Sequence, residues 1–125
     1  MKKVENPNRK LKQALSESGP VDALTGREDH RISLQEASEL TRAYRQHHPD
    51  KHIAEFFGKE TLLAILAQEN CAGIRIYYGM DPKTNRQHLV LVGAEPNKND
   101  IDQGIIAERG ILCPSCCGKP SILNT

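Results

Sequence analysis

Apolar residues recur at helical spacing between residues 34 and 46, and they define the first firm element of the hydrophobic pattern. Just before them, Ser33 and Glu36 stand three apart in a capping box, which begins a helix by satisfying its free amide groups. Pro49 pushes His48 out of helical geometry and ends the element. We therefore predict a first helix from about residue 34 to residue 46. Its apolar side comprises Leu34, Ala37, Leu40, Thr41 and Tyr44.

A second apolar cluster predicts a second helix, with residues 59–69 as its firmest part. Gly58 favours a break before this part, and Asn70 is a typical stop signal after it. Pro49 and Asp50 favour the start of a helix, because proline suits the first turn and a carboxylate suits its positive end. The stretch around them is therefore interpreted as a joint between two helices. The apolar side of the second helix comprises Phe56, Phe57, Leu62, Leu63, Ile65 and Leu66.

Beyond the second helix the pattern changes from a helical to an alternating period. Residues 74–80 alternate and are rich in β-formers, residues 88–94 are apolar on both faces, and turn formers fill residues 81–85 between them. This predicts an antiparallel hairpin whose second strand is interior, since that strand has no polar face. A third strand is expected within residues 105–112. The order of elements predicts an α+β fold, with two N-terminal helices packed on a small antiparallel sheet of about three strands.

The chain before the first helix is polar and carries only scattered apolar residues. We expect a flexible polar arm over residues 1–30, a single α+β domain over residues 31–112 and a Cys-rich tail over residues 113–125. The arm begins with a basic run, which could contact phosphate. A solvated surface segment is the expectation for so short a run.

Composition narrows the class of protein without identifying it. The chain has 125 residues, enough for one domain, and its 17 basic and 16 acidic residues leave a net charge of +1. This balance does not favour nucleic acid as a partner. No apolar run approaches the roughly 18 residues that span a bilayer, and the N-terminus has no apolar signal region, so no membrane partner is expected. We expect a cytoplasmic protein, whose four cysteines are first considered as free thiols or metal ligands.

The stretch ISLQEASELTRAYRQHHPDK resembles the second helix and following loop of a J-domain co-chaperone. The resemblance rests on the AYR element and on His48-Pro49-Asp50, the tripeptide that in this family meets the stimulated chaperone. It implies an all-helical domain that acts through this loop. Two features depart from the family's pattern: Tyr44 lies only four residues before His48, and the strand patterns downstream have no place in an all-helical fold.

The sequence CPSCC at residues 113–117 is the cluster with metal or thiol chemistry. A Cys-Pro-x-Cys run followed closely by glycine resembles one knuckle of a zinc ribbon, in which a tight turn directs two thiolates to one metal. A structural zinc needs four ligands, and the candidates are Cys113, Cys116, Cys117 and Cys71. Alternatively, a histidine could be the fourth ligand, or two chains could each provide two thiols. A redox or disulfide pair and an inert tail remain the other interpretations.

No residues stand at a spacing typical of a catalytic acid, base and nucleophile. The leading hypothesis is therefore a non-catalytic binding or assembly domain that contacts a protein partner or a second copy of itself. A small sheet has edges that another strand can cover, which motivates this hypothesis. The alternative is a zinc- or thiol-dependent protein that uses the tail cysteines, with zinc as the possible cofactor. A J-domain-like co-chaperone is the third hypothesis.

Overall fold

The computed structural model describes residues 21–125, so most of the predicted arm and all of its basic run lie outside the described residues. The elements follow in the order α1 (Leu34–His47), β1 (Ala54–Phe56), α2 (Lys59–Leu66), β2 (Gly73–Met80), β3 (Gln87–Ala94), β4 (Ile106–Ala107) and β5 (Ile111–Cys113). The strands form an antiparallel sheet in the order β2-β3-β4 and a second antiparallel sheet of β1 and β5. The predicted α+β class is confirmed. Within residues 21–125, no helix is long and apolar enough to cross a membrane.

Helix α1 begins at the predicted capping residue. Ser33 has an extended backbone, and its Oγ accepts a hydrogen bond from the Glu36 amide at 3.0 Å. At the other end, the His48 amide donates to the Tyr44 carbonyl at 2.9 Å, and His48 then leaves helical geometry with φ −135°. A residue that precedes proline is expected to do so. The sequence therefore predicted both ends of this helix to within one residue.

The predicted joint between two helices is wrong. Pro49 and Asp50 lie in a turn, after which the chain enters strand β1. Phe56, which the hydrophobic pattern assigned to the second helix, ends that strand opposite Ile111. Helix α2 begins only after Gly58, whose backbone is extended with ψ 147°. Pairing with a strand distant in sequence overrides the local pattern here, because cross-strand contacts decide β structure more than intrinsic preference does.

Strand β3 is the central strand of the larger sheet, as its apolar sequence predicted. It pairs with β2 over eight residues, from Gly73 opposite Ala94 to Met80 opposite Gln87. On its other side it pairs with the two residues of β4. The second half of β3 is buried and forms the centre of a small core. The buried apolar side chains are Ile65, Leu91, Val92, Ala94 and Cys113.

Helix α2 contacts β2 and β3, and the side chain of its Ile65 is 0% exposed. Gln68 follows the helix. Its side-chain Nε2 donates to the Ile65 carbonyl at 2.9 Å, and its Oε1 accepts from the Ile105 amide at 2.8 Å. A Cβ at Gly93 would lie 3.0 Å from Gln68 Nε2 and 3.1 Å from Cys71 Sγ. The close approach of these side chains to β3 therefore depends on the glycine.

The two-stranded sheet of β1 and β5 was not predicted, so the expectation of one sheet of about three strands is incomplete. Ala54 pairs with Cys113, the last residue of β5, and the Ile53 amide donates to the Cys113 carbonyl at 2.7 Å. The carboxylate of Glu55 joins this sheet to the larger one, since its Oε1 accepts from the Leu89 amide at 2.9 Å. The first cysteine of the predicted tail thus belongs to a strand.

Candidate functional site

Strand β2 is an edge strand, because the larger sheet has the order β2-β3-β4. The Asp81 amide donates to the Arg86 carbonyl at 2.8 Å, so this pair continues the β2–β3 ladder with its hydrogen bonds directed inward. In an antiparallel pair such hydrogen-bonded positions alternate with positions that face away from the neighbouring strand. The alternation directs the amide and carbonyl groups of four residues away from β3. These residues are Ile74, Ile76, Tyr78 and Met80.

We call the outward-facing main chain of these four residues the open edge of β2. Within residues 21–125, no main-chain or side-chain hydrogen bond from another segment reaches it. The side chains of the same four residues share one face of the strand, because side chains alternate along it. Ile76, Tyr78 and Met80 are 52%, 85% and 64% exposed, respectively. In the described part of the chain, the unpaired backbone groups and the exposed apolar side chains of Ile76, Tyr78 and Met80 therefore occur at the same positions.

The opposite face of β2 carries a polar cluster that holds the turn before β4. Arg75 and Tyr77 both donate hydrogen bonds to the carboxylate of Asp100, and Arg75 also donates to the Lys98 carbonyl at 3.0 Å. The hydrogen bond from Tyr77, and then that from Arg75, holds the pKa of Asp100 below its ordinary value. The same carboxylate raises the pKa of Tyr77. Arg75 is the only charged residue in β2, so this cluster leaves the open edge without a charge of its own.

A tight turn lies beside the chain just before the beginning of β2. Gly26 has φ +80°, and a Cβ there would lie 2.7 Å from the Ala72 carbonyl oxygen. The Leu24 amide donates to the Pro96 carbonyl at 2.9 Å, which holds the same segment against the body. At the other end, the turn before β3 follows Met80. The open edge thus lies between these two turns, within β2.

A groove of about 610 Å³ lies beside the turn that carries His48-Pro49-Asp50. It is lined by α1, by residues 50–55 and by the start of β3, with Lys51 and Arg86 among its charged residues. Two of its lining residues are joined, since the Tyr44 hydroxyl donates to Gln87 Oε1 at 3.2 Å. Because the tripeptide leads into a strand, and the domain contains two sheets, the J-domain resemblance does not extend to the surroundings of this loop.

The structure does not bring the four candidate zinc ligands together. Cys113 and Cys117 form a disulfide, and Cys116 is a free, exposed residue between them. Cys71 lies beyond helix α2, where its thiol donates to the Gly73 carbonyl at 3.2 Å. Across residues 21–125, no three residues of the types that bind metal are placed to hold an ion together. The arrangement of the tail is thus that of a disulfide with a neighbouring free thiol.

Sequence reasoning identified the alternating pattern of residues 74–80 but not the open edge. The alternation shows that the strand has two different faces. It does not show on which side a neighbouring strand pairs. The signal available in the sequence was the lack of edge protection, since β2 has one charge, no proline and no lysine.

No family model matches this chain, and the searches of curated proteins and of solved structures return no match either. We therefore infer a function from the geometry of the chain itself.

Proposed function

We propose that this protein is a non-catalytic assembly domain that pairs with a second copy of itself along the open edge of β2. The observation that carries the proposal is the coincidence of unpaired backbone groups and exposed apolar side chains at Ile76, Tyr78 and Met80. Natural edge strands are usually short, charged, bulged or covered, and an exposed apolar edge favours the addition of another strand. The expected location in the cytoplasm is part of the same proposal.

The edge is complementary to itself in the antiparallel direction. A two-fold axis at Tyr77 places Ile76 opposite Tyr78 of the second copy and Ile74 opposite Met80 of the second copy. All four outward-facing residues then fall in hydrogen-bonded positions, which provides about eight backbone hydrogen bonds. A β-branched residue opposite an aromatic one is a favourable cross-strand pair. The two larger sheets would join into one continuous sheet.

Charge also favours a second copy as the occupant. In this register Arg75 lies opposite Gly79 of the second copy, so the only charged residue of the strand meets no like charge. Like charges directly opposite one another would destabilise the pair. A pair of identical surfaces around a two-fold axis is also the commonest geometry of protein oligomers. These features favour a homodimer over pairing with an unrelated strand.

The size of the open edge sets the expected affinity of the dimer. Eight residues of antiparallel strand extend over about 27 Å. Stable dimers usually bury about 800 Å² on each partner, more than one strand edge provides alone. We therefore expect a concentration-dependent equilibrium between monomer and dimer.

The test is the mass of the protein in solution across a concentration series, measured by sedimentation equilibrium. Tyr78→Lys places a charge on the exposed face of the edge, and we expect it to shift the equilibrium to monomer. Leu63→Lys is the matched control, because Leu63 is 53% exposed and belongs to helix α2 rather than to the open edge. A wild-type protein that stays monomeric up to millimolar concentration would refute self-assembly. A dimer that Tyr78→Lys leaves intact would refute the open edge as its interface.

A further inference from the structure

The tail holds a disulfide whose two cysteines have different surroundings. Cys113 is only 7% exposed and lies at the end of β5, opposite Ala54 of β1. Cys117 is exposed and lies beyond the last strand. We propose that Cys113 and Cys117 form a redox-active pair that exchanges with low-molecular-weight thiols, with attack at the Cys117 sulfur. This site is independent of the open edge of β2.

The main chain around Cys113 protects that residue. Its carbonyl accepts from the Ile53 amide at 2.7 Å, and the Leu112 carbonyl accepts from the Cys116 amide at 3.0 Å. These two contacts hold the end of β5 against β1 and fold the following turn back onto the strand. An attacking thiolate must approach a disulfide sulfur directly, so access decides which sulfur reacts. The exposed position of Cys117 makes its sulfur the accessible one.

The exchange proceeds in two steps through a mixed disulfide. A thiolate attacks the Cys117 sulfur, the disulfide bond breaks, and Cys113 leaves as a thiolate that takes a proton from water. A second thiolate then attacks the mixed disulfide and releases the oxidised small molecule and the Cys117 thiolate. Two small thiols are oxidised to one disulfide, and the cysteine pair gains the two electrons. The reverse sequence re-forms the protein disulfide from oxidised glutathione.

Cys116 has no role in these steps, although it is exposed and free. Cys116 lies in the same short segment as the pair and would also react with a small disulfide, so its reaction would be measured together with theirs. The Cys116→Ser variant removes this thiol and leaves both members of the pair in place. Cys71 is half-buried beyond helix α2 and is distinguished by its separate peptide after digestion.

The first experiment equilibrates the Cys116→Ser protein with glutathione buffers from reducing to oxidising, followed by acid quenching, alkylation and mass spectrometry. We expect a reversible transition between the dithiol and the Cys113–Cys117 disulfide within the range of these buffers. A pair that stays a dithiol in the most oxidising buffer would overturn the proposal. So would a disulfide that the most reducing buffer leaves intact.

The second experiment tests the direction of attack. Each member of the pair is kept as the single cysteine of the tail, in Cys113→Ser/Cys116→Ser and in Cys116→Ser/Cys117→Ser, and its reaction with oxidised glutathione is timed. Buried thiols are less reactive than exposed ones, so we expect Cys117 to react at least about tenfold faster than Cys113. Equal rates would overturn the assigned direction.

Loss of Cys113 from the core could unfold the chain, so a third measurement keeps both thiols. The reduced Cys116→Ser protein is treated with limiting N-ethylmaleimide, and the modified residue is located by fragmentation. Modification first at Cys117 supports the proposal. Modification shared equally between the two cysteines contradicts it.

Discussion

Truncating Tyr78 to alanine should weaken the proposed dimer by an amount that the two-fold geometry fixes. The side chain is 85% exposed in the single chain, so its removal should barely change folding stability. In the dimer Tyr78 lies opposite Ile76 of the second copy, and symmetry repeats this pair. A favourable cross-strand pair contributes about 0.2–1 kcal/mol relative to alanine. Two pairs therefore contribute about 0.4–2 kcal/mol, which corresponds to a roughly 2- to 30-fold increase in Kd.

Symmetry also predicts the behaviour of a mixed dimer. When only one copy carries Tyr78→Ala, one pair is lost, and the change in binding free energy should be half of that in the doubly substituted dimer. Energy transfer between copies that carry donor and acceptor dyes on the N-terminal amine would measure all three dissociation constants. Leu63→Ala is the matched control, and it should leave all of them unchanged. A mixed dimer as weak as the doubly substituted one, or as tight as the wild type, would refute the isologous pairing of β2.

Three further substitutions test the fold that supports this edge. Ile65→Ala removes a fully buried side chain from α2, and chemical denaturation should show a loss of about 2–5 kcal/mol of unfolding free energy. Ser33→Ala removes the cap of α1 and should cost about 0.5–2 kcal/mol in the same assay. Asp100→Asn should lower the Tm at neutral pH. The pKa of Asp100 is lowered in the folded state, so its contribution is present above the ordinary aspartate pKa of about 3.9 and is lost as pH falls through the folded value. The wild-type and Asn variant Tm values should therefore converge in acid, and a constant difference across this range would contradict the role of the carboxylate.

Parts of the fold were predictable because the residues that determine them are neighbours in the sequence. The cap at Ser33 and the proline at residue 49 both act on their immediate neighbours, so the ends of α1 could be predicted from the sequence. The central position of β3 was predictable for a different reason. A strand that lacks a polar face must be covered on both sides.

The smaller sheet was not predictable, because its two strands are far apart in sequence. Strands β1 and β5 have three residues each, too few to show an alternating period. Their pairing joins Ala54 to Cys113, and nothing near either residue indicates the other. The hydrophobic pattern around Phe56 therefore favoured a helix, which was the simplest local interpretation.

The candidate functional sites also differ in how far the sequence predicts them. The cysteine cluster is visible in the sequence, but the metal interpretation needed a fourth ligand from Cys71 or a histidine, or thiols from a second chain. In the structure, Cys71 instead lies beside Gly93 of the larger sheet. The open edge of β2 depends on which side of the strand remains unpaired, and this is a property of the assembled sheet.

The pairing of β1 with β5 has a consequence for the order of folding. The hairpin of β2 and β3 closes through a short turn, and hairpins form within microseconds. The sheet of β1 and β5 must close a loop that contains almost every other element. Contacts between residues far apart in sequence form slowly, because the chain loses conformational entropy before the contacts stabilise it. During synthesis, residues 57–110 must also be made before β5 exists. The backbone groups of strand β1 therefore stay unpaired by β5 until nearly all of the remaining chain has been synthesised.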